Sequence, residues 1–204
     1  MFILGLTGGI ACGKSAVSYE LKKYYGAVTF NVDDETKNLL QVGGEFYKLY
    51  VKHYGEQIID ESGQLDKRIV REIIFHDENE RAWINSVTHP ILLNKTRDFL
   101  VDCAECGVEL AVLEIPLLYE VGWEKIVDEV WAMYLPKEMQ LNRLIRRDKI
   151  TAEQANARIL AQMPVGEICT RADVVLKNTS TFDKLQKQIY NAVKGRWRRR
   201  SDET

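Results

Sequence analysis

Eight consecutive residues, Gly8-Gly9-Ile10-Ala11-Cys12-Gly13-Lys14-Ser15, have the types and spacing of a phosphate-binding loop, G-x-x-x-x-G-K-[ST]. The chemistry is that of closing around an anion. Glycines let backbone N–H groups converge on phosphate oxygens, and the start of a following helix adds positive potential. Lys14 then reaches the β- and γ-phosphates of a nucleotide, and Ser15 offers a hydroxyl to Mg2+. The flanks supply the elements such a loop needs. Residues 2–6 are a short apolar run that reads as a buried strand, and Val17, Leu21, Tyr24 and Tyr25 fall on one helix face.

Other residues could complete a phosphoryl transfer. Asp33 and Asp34 follow a second strand-like run, at what would be the C-terminal edge of a sheet. A carboxylate there can accept the proton of an attacking hydroxyl, or it can simply cap a helix over 35–40. Lys37 lies four residues after Asp33, so it either binds a substrate phosphate or pairs with the acid. Glu114 ends an apolar run, where it can hold a Mg2+-bound water or be an ordinary strand-end polar residue. Arg143, Arg146 and Arg147 share one helix face opposite Leu141, Leu144 and Ile145. They either clamp a phosphoryl group or form a solvated face paired with Asp148 and Glu138. Asn178 closes the last strand, where a nucleotide base can lie. Cys12 sits at a helix N-terminus beside an ammonium, which predicts a reactive thiolate unless its sulfur turns into the core.

The elements that must position these groups alternate. Residues 27–31, 109–115, 128–135 and 173–177 read as strands beside the first, with helical stretches between them and a closing helix over 180–194. That alternation predicts an α/β fold with a mostly parallel sheet. Two stretches interrupt the rhythm. Residues 33–106 carry helical patterns and no clear core strand, and residues 137–170 are helical and arginine-bearing. Both read as insertions at the C-terminal ends of strands, where an open α/β sheet places its ligand crevice.

Composition bounds the function. A chain of 204 residues with 46% hydrophobic residues supports one full core. Its net charge of −2 gives no global drive toward nucleic acid or an anionic membrane. The apolar start lacks a basic n-region and reads as a strand, and the run over 110–119 is broken by Glu114, so no membrane span is expected. Four cysteines are too few and irregular for a disulfide framework. Cys103-x-x-Cys106 has no matching second pair for zinc. A reduced, cytoplasmic setting follows. The Arg-Trp-Arg-Arg-Arg run at 196–200 reads as a solvated terminus.

The ordered set of motifs resembles the dephospho-CoA kinase family over residues 1 to about 194. Leu6–Ser15 match its opening L-T-G-G-I-x-x-G-K-S, and Asn31-Val32-Asp33 with Lys37 occupy its D-x-D-x-x-x-R. Residues 63–75 resemble its G-x-L-D-R-x-x-L-R-x-x-I-F, His89-Pro90-Ile91 its H-P-[LI], and Pro116-Leu117-Leu118-Tyr119-Glu120 its P-L-L-x-E. Arg143, Arg147, Arg158 with Gln162, and Ala172–Val175 with Asn178 match its lid and final strand. There are departures: Ala11 stands at a glycine position, Ala16 at a threonine position, Lys37 and Lys67 at arginine positions, Asn31 at an acid, and Lys177 at an acid.

The resemblance implies a P-loop NTPase fold. This is a three-layer αβα core (1–32, 107–136 and 171–204) with a five-stranded parallel sheet, a helical substrate-binding insertion (33–106) and a lid (137–170). It implies transfer of the γ-phosphoryl of ATP to the ribose 3′-hydroxyl of dephospho-CoA, giving CoA and ADP. Asp33, Lys14, Arg143 and Arg147 would be catalytic. ATP would meet Gly9, Ala11, Cys12, Gly13, Lys14, Ser15 and Ala16 in the loop, and Asn178 beyond it. The acceptor would meet Thr7, Asp33, Lys37, Arg68, His89 and Leu117, and Mg2+ would meet Ser15 and Glu114. The implied enzyme has no nucleic-acid or membrane partner and works as a monomer with at most weak self-association. The competing readings are another small-molecule P-loop kinase and a GTP-binding switch. The second has a D-x-x-G at Asp60–Gly63 but no N-K-x-D, because Asn94-Lys95-Thr96-Arg97 breaks at the last position.

Overall fold

The computed structural model describes residues 1–194 and divides them between two compact units, Met1–Asn31 with the chain from Leu100 onward, and Val32–Phe99. The arginine-rich run at 196–200 lies outside the described residues.

The first unit is built on a parallel sheet. Its strands are β1 (Phe2–Gly8), β2 (Val28–Asn31), β3 (Leu110–Glu114), β4 (Glu129–Tyr134) and β5 (Val174–Lys177), in the order β2-β3-β1-β4-β5. β1 and β3 are apolar because they are central, and every residue of β3 is buried. Alternation sends Leu4 and Leu6 to one face, where they join Val112, Trp131, Met133 and Leu176 in one core cluster. Gly5 faces the other side, and a Cβ there would lie 2.8 Å from Leu118 Cδ1. The register pairs Leu6 and Asn31 with Glu114, so β2 and β3 end together and β1 runs two residues further, to Gly8. Two aspartates fix strand starts: Asp128 accepts from the Ile3 N–H at 2.7 Å, and Asp173 from the Val130 N–H at 2.8 Å.

Helix α1 (Lys14–Tyr25) and helix α9 (Phe182–Val193) cover the core cluster, burying Val17 and Leu21, and Leu185, Ile189 and Val193. Between β4 and β5 run α6 (Lys137–Asp148), α7 (Ala152–Leu160) and α8 (Val165–Arg171), and α8 packs on β1 and β4. Thr151 and Gln154 form a reciprocal capping box that starts α7.

The second unit is helical: α2 (Val32–Leu39), α3 (Glu45–Tyr54), α4 (Lys67–His76) and most of α5 (Glu78–Glu105). An aromatic cluster ties α3 to α5. The His53 ring stacks on Trp83 with centroids 3.6 Å apart, and Glu80 accepts from Tyr54 Oη at 2.7 Å while lying 3.1 Å from His53 Nε2. The Asp60–Gly63 segment is a tight turn between the bridged residues Ile59 and Leu65. Asp60 accepts from the Ser62 and Gln64 N–H groups. Its acid is engaged in its own turn.

The core that carries the loop sets a first expectation. Leu6→Ala removes a fully buried side chain from the central strand two residues before the loop. The loss should be about 3 kcal/mol in urea unfolding. A loss under about 1 kcal/mol would mean that this face of β1 is not packed as described.

Candidate active site

β1 ends at Gly8, and the chain turns through Gly13 into α1. Gly8 has φ 134° and presses on β4, where a Cβ would sit 2.6 Å from the Met133 carbonyl oxygen. Gly13 has φ 96° and abuts the Asn178 side chain, which a Cβ would strike. Both positions require glycine. Ala11 also holds a left-handed φ of 61°, which suits glycine and costs an L-residue about 1–2 kcal/mol.

Helix α1 starts with Gly13 as its N-cap, no side-chain cap and no acid in its first turn. Gly13 has no side chain to cap this end, so the start of the helix presents its positive end at the loop mouth. Lys14 folds over the loop, and its Nζ donates to the Gly8 carbonyl at 2.9 Å and the Gly9 carbonyl at 3.4 Å. Ser15 is exposed on the first turn, with Ala16 beside it.

Side chains from three later segments clamp this loop. Asn178 Nδ2 donates to the Cys12 carbonyl at 2.9 Å, and Arg143 Nη2 donates to the Asn178 carbonyl at 3.1 Å. Gln162 Oε1 accepts from the Ile10 N–H at 2.9 Å. Gln140 is buried; its Nε2 donates to the Leu135 carbonyl at 2.8 Å and its Oε1 lies over Gly9. Sequence reasoning placed Gln162 only through the family pattern and overlooked Gln140. A signal existed: Gln140 stands three before Arg143 and four before the buried Leu144, on the inward face of α6.

The loop after β3 completes this side. Glu114 is 5% exposed and accepts from Asn31 Nδ2 at 3.3 Å. Thr7 Oγ1 donates to the Pro116 carbonyl at 3.3 Å, and Leu117 stays exposed. Glu120 accepts from the Met163 N–H at 3.0 Å, tying this loop to the residue after Gln162.

Several expectations change. Cys12 is fully buried, and burial pushes its thiol up to about 11, with the Lys14 ammonium opposing only in part. It is a core thiol, the second of the two alternatives the sequence offered, and its burial disfavours the reactive thiolate. The arginine patch on α6 divides. Arg143 reaches the loop, whereas Arg147 donates to Asp148 at 2.7 Å, and Asp148 also accepts from Arg158 Nη1 at 2.6 Å. These two cations, Arg147 foremost, hold the Asp148 carboxyl below the usual range.

Four other predicted residues lie in the helical unit. α2 begins at Val32, so Asp33 and Asp34 stand in its first turn and neither is a cap before Glu35. Lys37 pairs with Asp34 at 2.6 Å. Arg68 pairs with Asp66 at 3.0 Å, and Asp66 is the N-cap of α4. His89 precedes the internal Pro90 of α5, and burial lowers its pKa, which favours the neutral imidazole. Cys103 and Cys106 are free thiols, and no cluster of three or more metal-ligating His, Cys, Asp or Glu occurs among the described residues.

A parallel sheet of order β2-β3-β1-β4-β5 with a phosphate loop at the end of its central strand defines the P-loop kinase class. The dephospho-CoA kinase family model matches residues 2–184. The chain is 36% identical to the dephospho-CoA kinase of Carboxydothermus hydrogenoformans over 197 residues, covering 96% of this chain and 95% of that protein. It is 38% identical to that of Thermosynechococcus vestitus over 189 residues, covering 93% and 92%. Among solved structures, the dephospho-CoA kinase from Campylobacter jejuni matches with a TM-score of 0.66 at 26% identity over 94% of each chain. A Thermus thermophilus protein matches with a TM-score of 0.79 at 29% identity, over 94% of this chain and 95% of its own. The chain belongs to the dephospho-CoA kinase family. No helix among the described residues is long and apolar enough to cross a membrane.

Two outcomes follow from the loop. Ala11→Gly relieves the left-handed backbone but adds freedom to the unfolded chain, so stability should hold or rise by up to about 1 kcal/mol. A clear loss in the urea midpoint would contradict the backbone geometry. Cys12 ties stability to pH. Its folded pKa lies above the ordinary 9.0, so its stabilising contribution is whole below pH 9 and is lost as pH rises toward about 11. The loss should reach roughly 2–3 kcal/mol. Unfolding of the protein and of Cys12→Ala at pH 8 and pH 11 isolates it; equal pH dependence in both would refute a buried thiol.

Proposed function

We propose that this chain transfers the γ-phosphoryl of ATP to the ribose 3′-hydroxyl of dephospho-CoA, the last step in making CoA. One observation carries the reading: in a member of this family, the uncapped start of α1 and the Lys14 ammonium converge on a loop held open by Asn178, Gln140 and Gln162. Backbone N–H groups of the loop and of the start of α1, apart from that of Ile10, which Gln162 holds, bind the β- and γ-phosphates, and Lys14 turns from the Gly8 carbonyl to the anion.

Asp33 accepts the hydroxyl proton as the oxygen attacks the γ-phosphorus and the bond to ADP breaks. Arg143 and Arg147 offset charge on the phosphoryl in flight, with α6, α7 and α8 acting as a lid. Arg147 exchanges its Asp148 contact for the phosphate. The helical unit is the acceptor-binding insertion, through Asp33, Lys37, Arg68 and His89; Thr7 and Leu117 are the acceptor-binding residues of the sheet-bearing unit. Asn178 borders the ATP base.

The donor set fits Mg2+, because the Ser15 hydroxyl and the Glu114 carboxylate are hard oxygen ligands. They would hold the ion, which when bound neutralises phosphate charge. The enzyme works as a cytoplasmic monomer, a setting suited to its four free thiols.

A coupled ADP-release assay with dephospho-CoA, adenosine, AMP and shikimate as acceptors tests the reaction, and dephospho-CoA should be preferred by a wide margin. Preference for another acceptor would favour a different small-molecule kinase. Asp33→Asn should lower kcat by about 100-fold or more with the KM for ATP little changed, because the proton acceptor matters only in the transition state. A loss confined to thermal stability would leave Asp33 as a structural first-turn acid of α2.

A further inference from the structure

A cleft of about 280 Å3 opens beside the phosphate loop, inside the unit that carries the sheet. Gly9 borders it on the loop side, and Ile159, Met163, Pro164 and Val165 give it apolar walls. Two carboxamides set its polarity. Gln140 donates through Nε2 to Leu135, so its Oε1 is the end that lies over Gly9. Gln162 accepts through Oε1 from Ile10, so its Nε2 amine is the end turned from the loop. Both carboxamides line the cleft, Gln140 almost fully buried against Gly9 and Gln162 half-buried, so a carbonyl acceptor and an amine donor stand among aliphatic and thioether surfaces. That is the complement of an adenine edge, whose exocyclic amine donates and whose ring nitrogen accepts, and of its apolar faces.

On the proposed function, we infer that this cleft holds the adenine base of the acceptor, with Gln140 and Gln162 reading its edge. Position favours the base over the rest of dephospho-CoA. The base is joined to the ribose that carries the accepting hydroxyl, so it must lie close to the transferred phosphate, and Gly9 belongs to the loop that holds that phosphate. The pantetheine arm is separated from this ribose by a diphosphate, which calls for several cations, and Lys137 is the one cationic residue on the cleft wall. The base of ATP is separated from the γ-phosphate by two further phosphates.

Gly166 allows a clean test. It lines the cleft, its φ is ordinary, and an added Cβ meets nothing within 4 Å. Gly166→Trp should fill the space, with folding checked by thermal unfolding. The KM for dephospho-CoA should rise by about tenfold or more, and the KM for ATP should stay within about twofold. The Ki of adenosine 5′-phosphate competing with dephospho-CoA should rise by the same factor, since that inhibitor keeps the base and lacks the arm. The unaltered enzyme supplies a second readout. A dephospho-CoA analogue with hypoxanthine in place of adenine turns the donor into an acceptor, and its kcat/KM should fall by about 10–100-fold. A Gly166→Trp effect on dephospho-CoA alone would assign the cleft to the arm. An effect on ATP would assign it to the donor. Unchanged constants, or an analogue used as well as dephospho-CoA, would equally overturn the inference. Failure of the unaltered protein to phosphorylate dephospho-CoA would instead refute the proposed function.

Discussion

The start of α1 is a helix end with no side chain to finish it. Gly13 caps without a side-chain bond, and no acid sits in the first turn. Most helices satisfy this end with a serine, threonine or aspartate, because open N–H groups and a positive dipole end are unfavourable when left alone. On the proposed function, this open end is the binding device. An anion that enters finds donors already aimed and meets little reorganisation, which is how a preorganised site favours a charged transition state.

Keeping that end open constrains the rest of the sheet-bearing unit. The loop must stay wide against its own tendency to collapse, and its carbonyls and one N–H need partners other than the ligand. Asn178 from the end of β5 donates to the Cys12 carbonyl and Gln162 from beyond α7 accepts from the Ile10 N–H, while Gln140 from α6 packs over Gly9. Glycine at 8 and 13 lets β4 and Asn178 approach where no Cβ fits. Ala11 is the strained member of the set, held in a left-handed conformation by the structure around it. The full burial of Cys12 follows from the same packing: its sulfur fills the core below the loop, and its backbone carbonyl meets Asn178.

The sheet was legible because its strands are short apolar runs separated by helical patterns, and the phosphate loop was legible because its residues are contiguous. The strands over 2–8, 28–31, 110–114, 129–134 and 174–177 depart from the sequence reading only at their ends. What depended on contacts between distant residues was harder to see. Cys12 has charges nearby that favour a thiolate, but desolvation by a core assembled from four strands and their covering helices dominates. Arg143 and Arg147 are equivalent in spacing, and only the fold sends one to Asn178 and the other to Asp148. Gln140 carried no signal in any motif, because its partner is the backbone of Leu135 just before that helix and its neighbour is Gly9, far away in sequence. The reading of Asp33 as a cap failed because α2 starts directly from the end of β2, one residue before it.

The central claim is that the open end of α1 and Lys14 hold a phosphoryl group for transfer to a ribose hydroxyl. The most direct test is product analysis after incubation with dephospho-CoA, Mg2+ and ATP labelled at the γ-phosphorus, using mass spectrometry and phosphorus NMR. The account predicts CoA carrying the label as a phosphomonoester on the ribose 3′-oxygen, formed in step with ADP, and absent with Lys14→Ala. Label appearing as inorganic phosphate, at another position, or undiminished in Lys14→Ala would contradict it.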